Sequence, residues 1–330
     1  MVPAVSVVVS VYNTEQYVHQ CLDSLCGQTL ADIEIICVDD GSTDDSPAIM
    51  DGFASRDARV QVLHKRNSGY GDSMNRGIDV ARGRYIGIVE PDDWTDTCMY
   101  ETLYSAACRH GFPDIVKASY TRVAHAGTAD EKLAPSWYAN RVAYVDQPFT
   151  IDQDAELIFH HPSIWTGLYR TDFLKQEQIR FLPIPGSGWA DNPFMMEAMV
   201  VAKSIVYVDE PVYYYREFDN ALSGGVKDPS IIGDRWIEMD EILKRRGVVA
   251  PRVLEAHYSR GCSYIQMLDV DFPDSCVARD GARRIFARLD GAAIMRSRRI
   301  LPEYQNVYLA HCTPEMRFRL RVLRKFFSRP

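Results

Sequence analysis

No run of apolar residues approaches the roughly 20 needed to cross a bilayer, so nothing in the chain is expected to span one. No C-x-x-C pair occurs. The eight cysteines (Cys21, Cys26, Cys37, Cys98, Cys108, Cys262, Cys276 and Cys312) are scattered through apolar patterns, which argues for reduced thiols over disulfides or structural zinc. No G-x-G-x-x-G follows the first strand pattern and no G-x-x-x-x-G-K-[ST] is found, so the two familiar glycine-rich phosphate loops are missing. An excess of basic residues is missing too: the formal net charge is -8, which argues against a nucleic-acid partner. The N-terminus enters a strand pattern with no basic segment, apolar core or cleavage site, so a secretory leader is not expected and the location implied is cytoplasmic.

What is present is an ordinary globular composition over 330 residues, 46% hydrophobic and 25% charged, long enough for one large domain with an appendage or for two domains. Val5 to Val11 is a β-branched run of buried-strand type, and from Glu15 the residues Val18, Leu22 and Leu25 recur at helical spacing. Ile33 to Val38 is a second strand. Ser46-Pro47 reads as an N-cap and first turn for a helix carrying Ile49 and Phe53 inward. Val60 to Leu63 is a third strand, residues 67–71 form a loop, and a helix is expected from about Asp72 to Ala81. Tyr85 to Val89 follows as a strand. Strands alternating with helices at this spacing predict an α/β fold with a mostly parallel, doubly wound sheet.

Polar residues stand at three successive strand ends: Asn13, then Asp39-Asp40, then Glu90-Pro91-Asp92-Asp93. Each has an ordinary use as a turn or cap residue. In register on one edge of a parallel sheet they line a single crevice, where such folds bind ligands. Adjacent carboxylates raise one another's pKa unless a cation neutralises them, and a divalent ion shared with phosphates is the economical choice.

These residues, together with Asn67-Ser68-Gly69 to Asn75, Trp165 to Leu174, Trp189-Ala190-Asp191-Asn192-Pro193-Phe194 and Tyr213-Tyr214-Tyr215-Arg216, resemble the family 2 glycosyltransferases of the GT-A fold, of the bacterial polysaccharide and glycan type. The likeness runs through roughly the first 225 residues. It implies a GT-A catalytic domain over residues 1–222, with a donor half (1–95) and an acceptor half (96–222), and a helical region over 223–330 hinged at Gly224-Gly225.

The implied donor and nucleotide site comprises Val11, Tyr12, Asn13, Glu15, Asp39, Asp40, Asn67, Gly69, Asn75, Glu90, Asp92 and Arg216. Val11 and Tyr12 would line the base, and Asp39 would accept from a uracil imide, a strong charge-assisted bond. Asp92 would take the family's ribose and metal position, with Asp93 beside it as a second ligand of Mn²⁺ or Mg²⁺ or as a ribose contact. Asp191 would be the catalytic base; its other use is as an N-cap for the following helix. Trp165 and Trp189 are acceptor-stacking candidates or core aromatics, and His160-His161 is a weak metal pair.

Three departures from the family pattern stand out: Glu90 where Asp is common, Met74 where Arg is frequent, and Ala190 in place of an acid. The charge missing at Met74 would come from Lys65, Arg76 or Arg216, or the diphosphate would be gripped mainly by the metal; Arg216 has a second use, pairing with Glu210 or Asp219.

The implied reaction is inverting transfer of a sugar from a nucleoside-diphosphate donor, a UDP-sugar foremost, to a hydroxyl of a glycan or lipid-linked acceptor in surface polysaccharide synthesis. A nucleotide-sugar-binding or scaffolding protein without turnover is the alternative. A nucleotidyltransferase is disfavoured because the first loop, Tyr12-Asn13-Thr14-Glu15, is acidic. Near the C-terminus, Met316, Leu320, Leu323 and Phe327 form a stripe among basic residues, as in a helix lying on an anionic membrane, here the inner face of the plasma membrane; packing on its own domain or on a partner subunit is the other reading. A homo-oligomer is left open.

Overall fold

The computed structural model describes residues 2–186, 188–218 and 225–327. In chain order the elements are β1 (Val5–Val11), α1 (Val18–Cys26), β2 (Ile33–Asp39), α2 (Ser46–Ala54), β3 (Val60–His64), α3 (Tyr70–Val80), β4 (Tyr85–Val89) and β5 (Trp94–Thr95). Next come α4 (Met99–Arg109), β6 (Ile115–Ala124), β7 (Lys132–Pro135), β8 (Pro148–Phe149), α5 (Glu156–Phe159), β9 (Gly167–Arg170), α6 (Thr171–Gln176), α7 (Asp191–Val201) and β10 (Ile205–Glu217). The remainder is helical: α8 (Pro229–Arg245), α9 (Pro251–Asp271), α10 (Cys276–Phe286), α11 (Gly291–Arg296), α12 (Pro302–His311) and α13 (Pro314–Phe327).

Contacts group these into two compact units, residues 1–150 with 162–218, and residues 151–161 with 219–330. The boundary expected at 222/223 and Gly224 of the expected hinge lie outside the described residues.

The first unit is built on one sheet of order β3-β2-β1-β4-β9-β6-β10-β5. β1 pairs in parallel with β2 and β4, and β2 with β3. Every residue of β1, β2 and β4 is buried, which is why these strands are written as near-continuous apolar runs. β9 runs antiparallel between β4 and β6, and β6 pairs in parallel with β10. β6 and β10 therefore point the same way as β1 and β4, and the C-terminal ends of β1, β2, β4 and β10 share one edge.

Two local expectations change. Ser46 is the first residue of α2 rather than its cap; Asp45 occupies the cap position, and the Ser46 hydroxyl accepts from Thr14 N at 3.0 Å. α3 starts at Tyr70, inside the stretch read as loop, because Gly69 at φ 96° turns the chain directly into the helix.

In the second unit, α8, α9 and α10 pack around Trp236, which is fully buried and stacks on His257 at 4.2 Å. α13 lies beside α11 and α12, with Arg317 donating to the carbonyls of Leu309, Ala310 and Cys312 at the end of α12. Leu320 and Leu323 are half-buried, while Phe318 (71% exposed) and Val322 (41%) point out with Arg321 and Lys325. Of the stripe read in the sequence, Met316 and Phe327 are exposed as well, so the outward face holds the two ends of that stripe and not its middle. No described helix is long and apolar enough to cross a membrane.

Candidate active site

At the shared edge the β1 and β2 loops clasp each other. Asn13, at φ 51°, accepts through Oδ1 from Thr43 N at 2.8 Å and donates its own N–H to Ser42 Oγ. Glu15 accepts from Asp45 N at 2.8 Å, and its N–H donates to Asp44 at 3.0 Å. Val11 is buried and its carbonyl accepts from Asp40 N. Asn13, Glu15 and Val11 therefore shape the loop. Tyr12, 49% exposed, remains open to solvent, and Asn67 is exposed.

Asp39 and Asp40 are both buried and have separated tasks. Asp40 takes the N–H groups of Ser68 (2.8 Å) and Gly69 (2.9 Å) and the ammonium of Lys65, so its carboxylate folds the 65–69 loop rather than waiting for a donor. Asp39 accepts from Ser42 N at 2.8 Å and pairs with His64 Nδ1 at 2.9 Å. Burial pushes the Asp39 carboxyl up, and bonds from His64 and Ser42 more than offset that, leaving it below its ordinary value. His64 was missed in the sequence; its own pKa is raised, chiefly by the bond to Asp39.

The acidic cluster follows β4. Glu90 accepts from the phenol of Tyr70 at 2.7 Å and its pKa is pushed up to about 8, first by burial and further by Asp92 and Asp191. Asp93 is buried with both oxygens committed: Oδ2 accepts from Tyr213 OH at 2.8 Å and Oδ1 from Arg216 N at 2.7 Å. It ties β10 to the cluster. Asp92 is half-buried, with a pKa raised by burial and partly relieved by the nearby Arg216.

Arg216 lies 4.9 Å from the rings of both Tyr17 and Trp94 and donates to Asp92 O and Gln20 Oε1, each at 2.8 Å. Glu210 is not its partner in these contacts, and Asp219 lies outside the described residues. Lys65 and Arg76 both pair with Asp72, and Met74 is core, so of the three cations considered Arg216 is the one at the cluster.

Asp191 is the first residue of α7, and its carboxylate raises the pKa of Glu90, Tyr70, Tyr169 and Tyr215. Carboxylates about 100 positions apart in sequence are therefore brought within electrostatic reach. Gly188 (φ 45°) and Trp189 (φ 53°) turn the chain into α7; a left-handed tryptophan is a strained conformation of the kind that collects at functional sites.

Two further expectations are corrected. Trp165, 2% exposed, is sandwiched by Tyr213 and Tyr215 at 4.2 and 5.1 Å, with Tyr120 edge-on, so it offers no face to an acceptor. The Asn75 amide is committed to the backbone of Phe181 rather than to a donor. Tyr213 and Tyr215, two apart on one face of β10, were visible as a Tyr-Tyr-Tyr run, but their partners were not. His160 pairs with Glu156 at 2.9 Å.

Among the described residues no group of three or more His, Cys, Asp or Glu is arranged to hold a metal ion. Asp92 nonetheless suits one: a half-buried carboxylate raised in pKa is stabilised by a cation. A single protein carboxylate plus substrate phosphates is also how Mg²⁺-type ions are commonly held.

An open α/β sheet with its polar residues on this edge, closed by an antiparallel strand next to β4, is the GT-A architecture. The structure of Staphylococcus aureus TarS residues 1–349 in complex with UDP-GlcNAc superposes with a TM-score of 0.68 at 19% identity, covering 98% of this chain and 91% of that one. Residues 6–167 match the model of Glycosyl transferase family 2. GlyG of Streptococcus pneumoniae is 33% identical over 229 residues, 66% of this chain and 72% of GlyG. EpsJ of Bacillus subtilis, described as an uncharacterized glycosyltransferase, is 35% identical over 236 residues, 68% of this chain. The match spans 64% of the length of EpsJ, just under two thirds. The chain belongs to glycosyltransferase family 2.

Proposed function

We propose that the protein transfers a sugar from a nucleoside diphosphate, a UDP-sugar foremost, to a hydroxyl of a glycan or lipid-linked acceptor, with inversion at the anomeric carbon. The observation that supports this reading is that Asp92 and Asp191 both act electrostatically on Glu90, at the edge where the nucleotide-side loops also end. Family membership and a fold shared with a UDP-GlcNAc-bound structure support the donor class. Residues 1–95 act as the donor half, 96–222 as the acceptor half, and 223–330 as a helical extension.

In this mechanism Tyr12 flanks the base and Asp39, held ionised by His64 and Ser42, accepts from an imide N–H. Arg216 sits beside Asp92 and faces diphosphate charge. Asp92 is the residue that would hold Mn²⁺ or Mg²⁺, and such an ion would supply positive charge opposite the diphosphate leaving group. Asp191 takes the acceptor hydroxyl proton as that oxygen attacks in line, a contribution of typically ~10² to 10⁴ in rate. Glu90, kept protonated near neutral pH by burial, presents an O–H towards the donor sugar without adding a second negative charge beside Asp191. Trp189 borders the acceptor side.

The chain works in the cytoplasm at the membrane surface, docking through the outward face of α13, where Phe318 and Val322 stand beside Arg321 and Lys325. A screen of nucleotide sugars for metal-dependent donor hydrolysis tests the assignment. Release of a nucleoside diphosphate from one donor supports it, and the absence of both hydrolysis and binding across UDP-, GDP- and dTDP-sugars overturns it.

A further inference from the structure

We infer that Asn75 is a positioning residue for Asp191, and that the start of α3 is a rail that sets the α7 end of the active site. This rests on reading Asp191 as the base. Asn75 Nδ2 donates to Phe181 O at 2.8 Å and Oδ1 accepts from Phe181 N at 3.0 Å. A primary amide used this way copies a β-bridge, with its N–H and its carbonyl oxygen both engaged by one residue.

The same stretch, 181–186, lies in direct backbone contact with the preceding turn. A Cβ on Gly71 would sit 1.9 Å from Leu182 O, and one on Gly69 would sit 2.1 Å from Ile184 O. Tyr70 N donates to Gly186 O at 2.9 Å. Only glycine at 69 and 71 allows the two backbones this close.

Phe181 carries the constraint to the catalytic helix. Its ring stacks on Phe194 at 4.0 Å with the planes 8° apart. Phe194 lies three residues after Asp191 in α7, on the same side of the helix. On the other side of the site, Tyr70 packs edge-on against Phe181 at 5.7 Å and bonds Glu90 through its hydroxyl. One helix thus holds Glu90 through Tyr70 at its start, and Asp191 through Asn75 about a turn and a half further on, Phe181 and Phe194. Misplacement of a reacting group by about 1 Å can cost 10²-fold in rate, so a clamp remote from the chemistry controls it.

The test uses the full chain with Asn75→Leu, which removes both bonds, Asn75→Asp, which keeps the acceptor for Phe181 N, and Phe181→Leu, which breaks the stack. UDP affinity with Mn²⁺ is measured by calorimetry, kcat and KM on the donor found by screening, and hydrogen exchange over 181–186 by mass spectrometry. Asn75→Leu is expected to lower kcat by about 10 to 10²-fold, leave UDP affinity within about two-fold, and speed exchange at 181–186. Asn75→Asp should fall between Asn75→Leu and the parent, and the Asn75→Leu/Phe181→Leu pair should lose little more than either single change.

A rise in the UDP dissociation constant that accounts for the whole loss in kcat/KM would make Asn75 a donor ligand and overturn the inference. Unchanged kcat and unchanged exchange would overturn it as well. Exchange is read without turnover, so a parent inactive on every nucleotide sugar sinks the functional reading while the exchange result still decides the rail.

Discussion

The phenol of Tyr70 donates to Oε1 of Glu90 at 2.7 Å, and this bond opposes the burial that pushes the Glu90 carboxyl up to about 8. Between its ordinary value of 4.5 and about 8, the folded chain keeps a proton on Glu90 that the unfolded chain has released. Stability therefore falls as pH rises through that window, by about 1.4 kcal/mol per pH unit. Asp92 and Asp93, also raised, act with the same sign. Urea unfolding of metal-free protein from pH 5 to 8 should show this decline, and Glu90→Gln should make it shallower. Equal slopes in parent and variant would mean that Glu90 is ionised throughout.

Asp92 and Asp93 are adjacent but should respond differently to loss of charge. UDP with Mn²⁺ at 100-fold over its dissociation constant should stabilise the parent by roughly 2.7 kcal/mol, and a chelator should cancel most of that. Asp92→Asn should abolish the chelator-sensitive part without lowering metal-free stability. Asp93→Asn should instead cost about 1–3 kcal/mol in metal-free protein, because Tyr213 OH and Arg216 N compete for the one remaining acceptor. Thermal melts of both variants with and without UDP and chelator separate the two cases.

Asp191→Asn keeps the size of the side chain and removes its basicity. It should bind UDP as the parent does and lose transfer by ~10²-fold or more. Parent-level transfer by the variant would take Asp191 out of the mechanism.

Gly71→Ala forces a methyl group onto Leu182 O. The backbones of α3 and residues 181–186 must separate, and the expected cost is about 1–3 kcal/mol in urea unfolding. A variant as stable as the parent would show that this contact is looser than the structure has it.

For α13, Phe318→Ser with Val322→Ser should weaken binding to vesicles containing anionic lipid, and raised salt should weaken the parent's binding as well. Sedimentation with anionic and with neutral vesicles measures both. Parent protein that binds neither vesicle would leave this helix to a protein partner.

The α/β order, the mostly parallel sheet and the acidic strand end could be read before any coordinates. β1, β2 and β4 are buried on both faces, so their sequences are nearly uninterrupted apolar runs whose polar residues stand at the ends. That pattern is local and survives in one dimension. The early start of α3 is not local in this way: Gly69 at a positive φ is compatible with either a loop or a helix entry, and its close approach to Ile184 O selects the entry.

Which polar groups remain for a ligand was decided only by tertiary structure. Asp40 looks as available as Asp39, Asp93 as Asp92, and Asn75 as Asn67, until Ser68, Tyr213 and Phe181 arrive from 28, 120 and 106 positions away and engage their oxygens and N–H groups. A carboxylate or amide is defined chemically by its residue type, which the chain itself specifies. Its freedom to bind depends on which donors and acceptors the fold brings against it, and the linear order of residues carries no mark of that.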